Sequence, residues 1–170
     1  LFHNGLHILC DPWLDGPSVG GRWEKFPPST TRVKDLPPID FIYVSHIHSD
    51  HCERETMLAL PKDVPVIFLE RSPAFVRKMR EGYGFTNLRG LPADGLRYCL
   101  AGTMNVETFG APQEHQCAEV IDSSVIFDFG DKVVVNCNDN APDEAFCRDV
   151  KARYPVIDVA FLPSGGGCSY

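Results

Sequence analysis

The chain has 170 residues, 23% of them charged and 44% hydrophobic, with a mean hydropathy of −0.14. That is one globular domain's worth of sequence, too short for two full domains and too apolar for a disordered chain. Sixteen basic residues against 23 acidic ones give a formal net charge of −7, and no basic stripe of the kind nucleic-acid binders carry is visible.

In chain order, Asn4-Gly5 signals a two-residue hairpin turn, followed by a strand over 6–10 that ends at Asp11-Pro12. Residues 15–38 hold Gly20-Gly21, Pro27-Pro28 and Pro37-Pro38 and read as a long loop, a length more often functional than not. A short β-rich run over 39–45 reads as a buried strand. It leads into a helix over 53–60, with Asp50 as its cap and Glu53 at capping-box spacing. A strand over 64–69 and a helix from Pro73 to about residue 82 follow. Short strands are expected near 86–90, 96–100 and 104–109. Strands over 120–129 and 132–137 are joined by a second hairpin at Gly130-Asp131. A helix over 143–153 and a last apolar strand over 156–162 complete the pattern. Early hairpin-linked strands and later strands alternating with helices fit an α+β chain with two sheets face to face and helices outside.

Seven cysteines are present, an odd number with no Cys-x-x-Cys pair, which argues against a zinc ribbon or a disulfide framework. Unpaired cysteines point to a reducing cytoplasm. No apolar run approaches the roughly 18 residues of a membrane span, so no membrane partner is expected.

The chemistry concentrates in His46-Ile47-His48-Ser49-Asp50-His51, four possible metal ligands within six residues. On an extended chain end, residues i and i+2 point the same way, so His46 and His48 can reach one ion. The chain then turns, and Asp50 and His51 can reach a second. Burying three imidazoles and a carboxylate without metal would leave many polar groups to satisfy. Imidazole with carboxylate suits zinc, with iron and manganese as alternatives.

This His-x-His-x-Asp-His segment after a buried strand resembles the metallo-β-lactamase-fold superfamily. Asp11-Pro12-Trp13-Leu14-Asp15-Gly16-Pro17 is similar to the form found in its lactonase-like branch and in the metallo-β-lactamase-like domain of CMP-N-acetylneuraminate hydroxylases. Asn136-Cys137-Asn138-Asp139-Asn140 resembles the hydroxylases' Asn-x-x-Asp segment, and Pro163-Ser164-Gly165-Gly166-Gly167 resembles the Gly-rich loop of both groups. The resemblance covers about residues 6–167.

It implies a four-layer αββα sandwich spanning 1–170 as one domain, truncated at both ends. It implies a dinuclear centre held by His46, His48, Asp50, His51, His115 and Asp139, with Asp11 orienting a ligand histidine rather than touching metal. The alternatives are a solvated loop carboxylate for Asp139 and a surface-loop histidine for His115. The family's further histidine, after the Gly-rich loop, has no counterpart here, so it is expected beyond Tyr170. Trp13, Arg22 and Trp23 are candidates for substrate contact, or for packing the long loop onto the body.

The resemblance implies a hydrolase in which a hydroxide activated by two divalent ions cleaves an ester, lactone, amide or phosphoester, with Asp50 holding metal and shuttling the proton. Two ions outweigh the carboxylates around them, so a small anionic substrate is expected of an otherwise acidic protein. The rival reading is a di-iron oxidoreductase domain like that of the hydroxylases. Their Rieske motifs, Cys-x-His and Cys-x-x-His, do not occur in these 170 residues, so further domains, or a homo-oligomer, would complete it. A third reading is a degenerate binding domain, which the intact ligand motif argues against.

Overall fold

A computed structural model describes residues 1–70, 73–92, 95–102, 104–110 and 122–163. Two five-stranded sheets carry the chain. The first is built from β1 (Phe2–His3), β2 (Leu6–Cys10), β3 (Phe41–Tyr43), β4 (Val66–Leu69) and β5 (Leu88–Leu91). β1 and β2 form the antiparallel hairpin expected at Asn4-Gly5, where both residues take positive φ, 50° and 80°. β2 to β5 run parallel. The second sheet has the order β10 (Val159–Phe161), β9 (Val133–Asn136), β8 (Ser123–Asp128), β7 (Met104–Gly110), β6 (Tyr98–Ala101). It is antiparallel except for β10, which lies parallel to β9.

Alternation along the strands explains why both faces of each sheet are buried. Phe41 and Tyr43 of β3 point between the sheets and join Ile8 and Ile67 against Met104, Val106, Val125, Phe127 and Val134. Ile42 and Val44 point the other way, beneath α1 (Arg54–Ala59) and α2 (Pro73–Arg77), where Met57, Leu60, Phe75 and Met79 cover them. Ile126 and Val135 leave the second sheet on its far side and meet Val150 and Tyr154 of α3 (Glu144–Arg153) and its end. The layers are therefore helix, sheet, sheet, helix, the expected αββα sandwich.

Three local expectations need correction. Asp50 does not cap α1. Glu53 does, its carboxylate accepting the N–H groups of Glu55 and Thr56, so residues 46–52 remain a turn outside the helix. The helix expected over 73–82 changes pitch midway, with α2 followed by a π-helical turn at Lys78–Gly82. The strand expected over 39–45 is only Phe41–Tyr43; the Val44 N–H still reaches the Ile67 carbonyl at 3.1 Å, and the chain leaves the sheet after it, toward the site.

A polar brace ties the sheets together beneath that turn. The buried Tyr43 hydroxyl donates to the Ser123 carbonyl at 3.0 Å and lies 2.8 Å from its hydroxyl, which donates to the Ser45 carbonyl at 2.9 Å. Burial raises the Tyr43 phenol well above its ordinary range, so it stays a donor. The Asn138 amide adds a bond to the Ser123 carbonyl at 2.8 Å.

Candidate metal centre

The C-terminal ends of β2 and β3 lie at the same end of the sandwich as the start of β8 and the end of β9. Asp11, residues 45–51, Asp122 and Asp139 all follow or precede these strands. Parallel strands open their carboxyl ends onto a crevice, and here that crevice collects the candidate ligands.

Three of them, His46, His51 and Asp139, each offer a ligand atom within 4.8 Å of the others. His46 is almost fully buried, at 2% exposure. Its Nε2 lies 2.8 Å from Nδ1 of His48 and 4.0 Å from Oδ2 of Asp139. Nε2 of His51 lies 3.3 Å from the same Asp139 oxygen and 3.8 Å from Oδ2 of Asp50. Two imidazoles and a carboxylate thus share one space, with a third imidazole beside His46 and a second carboxylate beside His51, a nitrogen and oxygen donor set suited to zinc, iron or manganese.

The far edges of the imidazoles are held as metal-ligating histidines require. Nδ1 of His46 meets the Ser45 hydroxyl at 2.9 Å and Oδ1 of Asp122 at 3.2 Å. Nδ1 of His51 meets Oδ2 of Asp11 at 3.1 Å. With a proton on each Nδ1, both Nε2 lone pairs face the centre. The other oxygen of Asp11 accepts the Ser45 N–H at 2.7 Å, so one carboxylate links the first motif to both ends of the second. Asp11 and Asn138, the residue before Asp139, both take positive φ, 42° and 50°. Asp and Asn tolerate that conformation better than most residues, and strained backbone of this kind collects at functional sites.

Burial alone would lower the His51 imidazole. Asp11, through its hydrogen bond and charge, with Asp139 and Asp50, outweighs burial and holds it at about 9. Burial and the neighbouring His46 lower His48 instead. An ion at Nε2 of His51 would have to displace a proton, so metal binding measured there is expected to strengthen as pH rises toward that value.

The long loop is fastened beside the motif. Glu53 and Thr56 of the turn and helix that follow it receive three successive loop N–H groups. Thr56 Oγ1 accepts Leu14 at 2.9 Å and Asp15 at 3.0 Å, and Glu53 Oε2 accepts Gly16 at 3.1 Å. Further on, Ser18 Oγ donates to Ser49 Oγ at 2.9 Å, and the Val19 N–H reaches the same oxygen at 2.9 Å. The tip of the loop therefore rests on the residue between His48 and Asp50. Trp13 spends its indole N–H on the Gly16 carbonyl at 2.6 Å and packs under Lys25. Arg22 and Trp23 lie on the tip, Trp23 at 55% exposure.

A Cβ on Gly16 would stand 2.6 Å from Oε1 of Glu53 and 2.8 Å from Cδ of Glu55. Gly16→Ala is therefore expected to cost about 2 kcal/mol, an ordinary overpacking penalty, read as a lowered midpoint in denaturant with an unchanged slope.

His115 and the Gly-rich loop over 164–167 lie outside the described residues. His3 is occupied elsewhere, against Asp131 at 2.9 Å, and His7 stacks on Phe2. Sequence reasoning missed Asp122, Ser45 and Ser49, and it gave Glu53 the wrong place in the cap. The one available signal was Glu53-x-x-Thr56 following the histidines directly.

Residues 7–166 match the family model described as a beta-lactamase superfamily domain. The chain belongs to this family. Its relatives include the cytidine monophosphate-N-acetylneuraminic acid hydroxylase of Asterias rubens, 35% identical over 88 residues, 49% of this chain and 14% of that protein. A protein of Mycolicibacterium smegmatis named as a Rieske 2Fe-2S iron-sulfur protein is 28% identical over 171 positions, 96% of this chain and 32% of that one. The chain thus spans a third or less of these relatives' length. Among solved structures, an isothiocyanate hydrolase from Delia radicum gut bacteria superposes with a TM-score of 0.69 at 18% identity, over 89% of this chain and 62% of that one. The diiron β-hydroxylase CmlA of Streptomyces venezuelae gives 0.66 at 20%, over 94% and 31%. At these identities the two structures establish the shared fold alone. No helix among the described residues is long and apolar enough to cross a membrane. The superfamily domain thus places His46-Ile47-His48-Ser49-Asp50-His51 at one end of an αββα sandwich, in a fold whose solved neighbours include a hydrolase and a hydroxylase.

Proposed function

We propose that this superfamily domain is the dinuclear-metal domain of an iron-dependent oxidoreductase acting on a small anionic substrate. The observation that carries the metal centre is the convergence of His46, His51 and Asp139, with His48 beside the first and Asp50 beside the second and the outer edges of His46 and His51 already tethered. The redox reading is supported by a relative 35% identical over about half of the chain, which is a hydroxylase named for a nucleotide-linked sialic acid. An iron pair bound here would supply redox chemistry with dioxygen, fed by a reductant held elsewhere in the protein.

The chain's own residues do the rest. His46 and His48, whose Nε2 and Nδ1 lie 2.8 Å apart, would hold one ion, and Asp50 and His51, whose Oδ2 and Nε2 lie 3.8 Å apart, a second. Asp139, with Oδ2 4.0 Å from His46 and 3.3 Å from His51, would contribute its carboxylate to the centre. Asp50, whose Oδ2 lies 3.8 Å from Nε2 of His51, is placed to hold or pass a proton at that oxygen. Asp11 and Asp122 keep the Nδ1 protons in place. Arg22 and Trp23, on the tip fastened to Ser49, offer a cation and an aromatic face to the anionic substrate.

A zinc- or manganese-loaded hydrolase of esters, lactones, amides or phosphoesters is the second reading, favoured by the hydrolase neighbour of the same fold. Metal analysis of protein purified without added metal separates the two. Two irons per chain with a visible absorption band support the first. Two zincs with lactone or phosphoester hydrolysis overturn it for the second. A chain that binds no divalent metal at all overturns both.

A further inference from the structure

Behind the motif lies a device that neither the family match nor the ligand geometry assigns. Residues 47–52 form a turn, not a helix or strand, so several of their carbonyls have no ladder partner and need donors from outside. The His48 carbonyl is used within the turn, accepting the N–H groups of His51 at 3.1 Å and Cys52 at 2.9 Å. The carbonyls at the two ends of the turn, those of Ile47 and Cys52, are met from one place. Lys78 donates from Nζ to the Ile47 carbonyl at 2.8 Å. Tyr83 donates from its hydroxyl to the Cys52 carbonyl at 3.4 Å.

Lys78 opens the π-helical turn Lys78–Gly82, and Tyr83 is the residue immediately after it. The two are five apart. In an α-helix, neighbours on one face are three or four apart, and residues five apart diverge. A π-turn closes i to i+5, which brings these two onto one side. Their side chains touch, with Nζ 5.7 Å from the Tyr83 ring centre. The turn is anchored by Met79, which is fully buried against the first sheet with Phe75 and Phe85. A widened helical turn is a costly local choice that recurs at functional sites.

We propose that the π-helical turn is a clamp for the metal motif, with Lys78 and Tyr83 as positioning residues that fix the two ends of the ligand-bearing turn. The proposal rests on reading that turn as a metal centre. Lys78 holds the peptide between His46 and His48 and so sets the angle between their rings. Tyr83 holds the Cys52 carbonyl, one residue beyond His51, and so sets the exit of the second ligand pair. Neither side chain touches metal or substrate.

The test is cobalt(II) titration of the metal-stripped full chain, read by its visible d–d bands, with thermal melts alongside. Lys78→Met keeps the stem and removes the donor. It is expected to bind cobalt about tenfold more weakly and with an altered band shape, the lower end of the loss seen when partners of metal ligands are removed. Lys78→Arg, which restores a donor, should recover both readouts. Tyr83→Phe should weaken binding about threefold, as its longer bond implies, and it carries the test if Lys78→Met does not fold. Wild-type affinity and band shape in Lys78→Met, or a lowered melting temperature with both unchanged, overturns the clamp. A wild-type chain that binds no cobalt overturns the metal centre itself.

Discussion

Asp11→Ala should weaken divalent-metal binding by about 10–100-fold, the range found when a carboxylate behind a ligating histidine is removed. The expectation comes from the two separate tasks of one side chain. Oδ2 meets Nδ1 of His51 at 3.1 Å and fixes which nitrogen keeps the proton. Oδ1 accepts the Ser45 N–H at 2.7 Å and holds the strand end from which His46 and His48 project. Alanine removes both bonds at a position where φ is +42°. It also lacks the side-chain oxygens that make this backbone conformation tolerable for aspartate, so a further loss of about 1–2 kcal/mol of stability is expected. Asp11→Asn separates the effects. An amide keeps the local backbone preference and one acceptor but has no charge, so the melting temperature should stay near that of the wild type while metal affinity falls. Isothermal titration with zinc or iron, together with thermal melts, reads both. Unchanged affinity in both variants would remove Asp11 from any role at the centre.

The ligand motif was readable because its order is local. His46 and His48 alternate off a strand end and Asp50 and His51 follow a turn, so a six-residue window contains the geometry. The sandwich was readable because β3 and β4 are apolar at every position, which only a sheet buried on both faces requires. Resemblance singled out Asp11 and Asp139, and the structure has Asp11 directly after β2 and Asp139 three residues past β9, on an exposed turn at the same end of the sandwich.

What escaped reading has a common physical character. Asp122 lies 76 positions from the His46 it supports, and nothing in its neighbourhood marks it apart from the strand that follows. Glu53 stands where a capping-box acid would, but the box was drawn from Asp50. The competition between two carboxylates for one helix start was decided by tertiary contacts. Glu53 also serves the Gly16 N–H, 37 residues away, whereas Asp50 is turned toward His51. The π-turn has no sequence period of its own, and the helical spacing of Phe75, Val76 and Met79 hides it. Bonds between a side chain and a distant backbone carry no periodicity, and periodicity is what pattern reading detects.

Glu53→Ala should lower the melting temperature by about 10 °C, which for a chain of this size corresponds to about 3 kcal/mol. Glu53 is buried at 1% exposure, and its carboxylate accepts four bonds. They come from the N–H of Glu55 at 2.6 Å, the N–H of Thr56 at 2.8 Å, the Thr56 hydroxyl at 2.6 Å and the N–H of Gly16 at 3.1 Å. Truncation leaves buried donors unpaired, removes the cap of α1 and releases the loop whose tip rests on Ser49. Burial works against the charge, but these four bonds prevail and hold the carboxyl below its ordinary value of 4.5. The folded chain therefore keeps Glu53 ionised at acidities where the unfolded chain protonates it. Its contribution is complete above about pH 4.5 and is lost as pH falls through the lower folded value. Between those limits, wild-type stability should decline more steeply with acid than that of Glu53→Gln, which cannot ionise and should start from a lower plateau. Urea unfolding at a series of pH values measures both the plateau and the slope. Parallel curves for the two proteins would mean that Glu53 is not the ionised link between the loop and the metal motif.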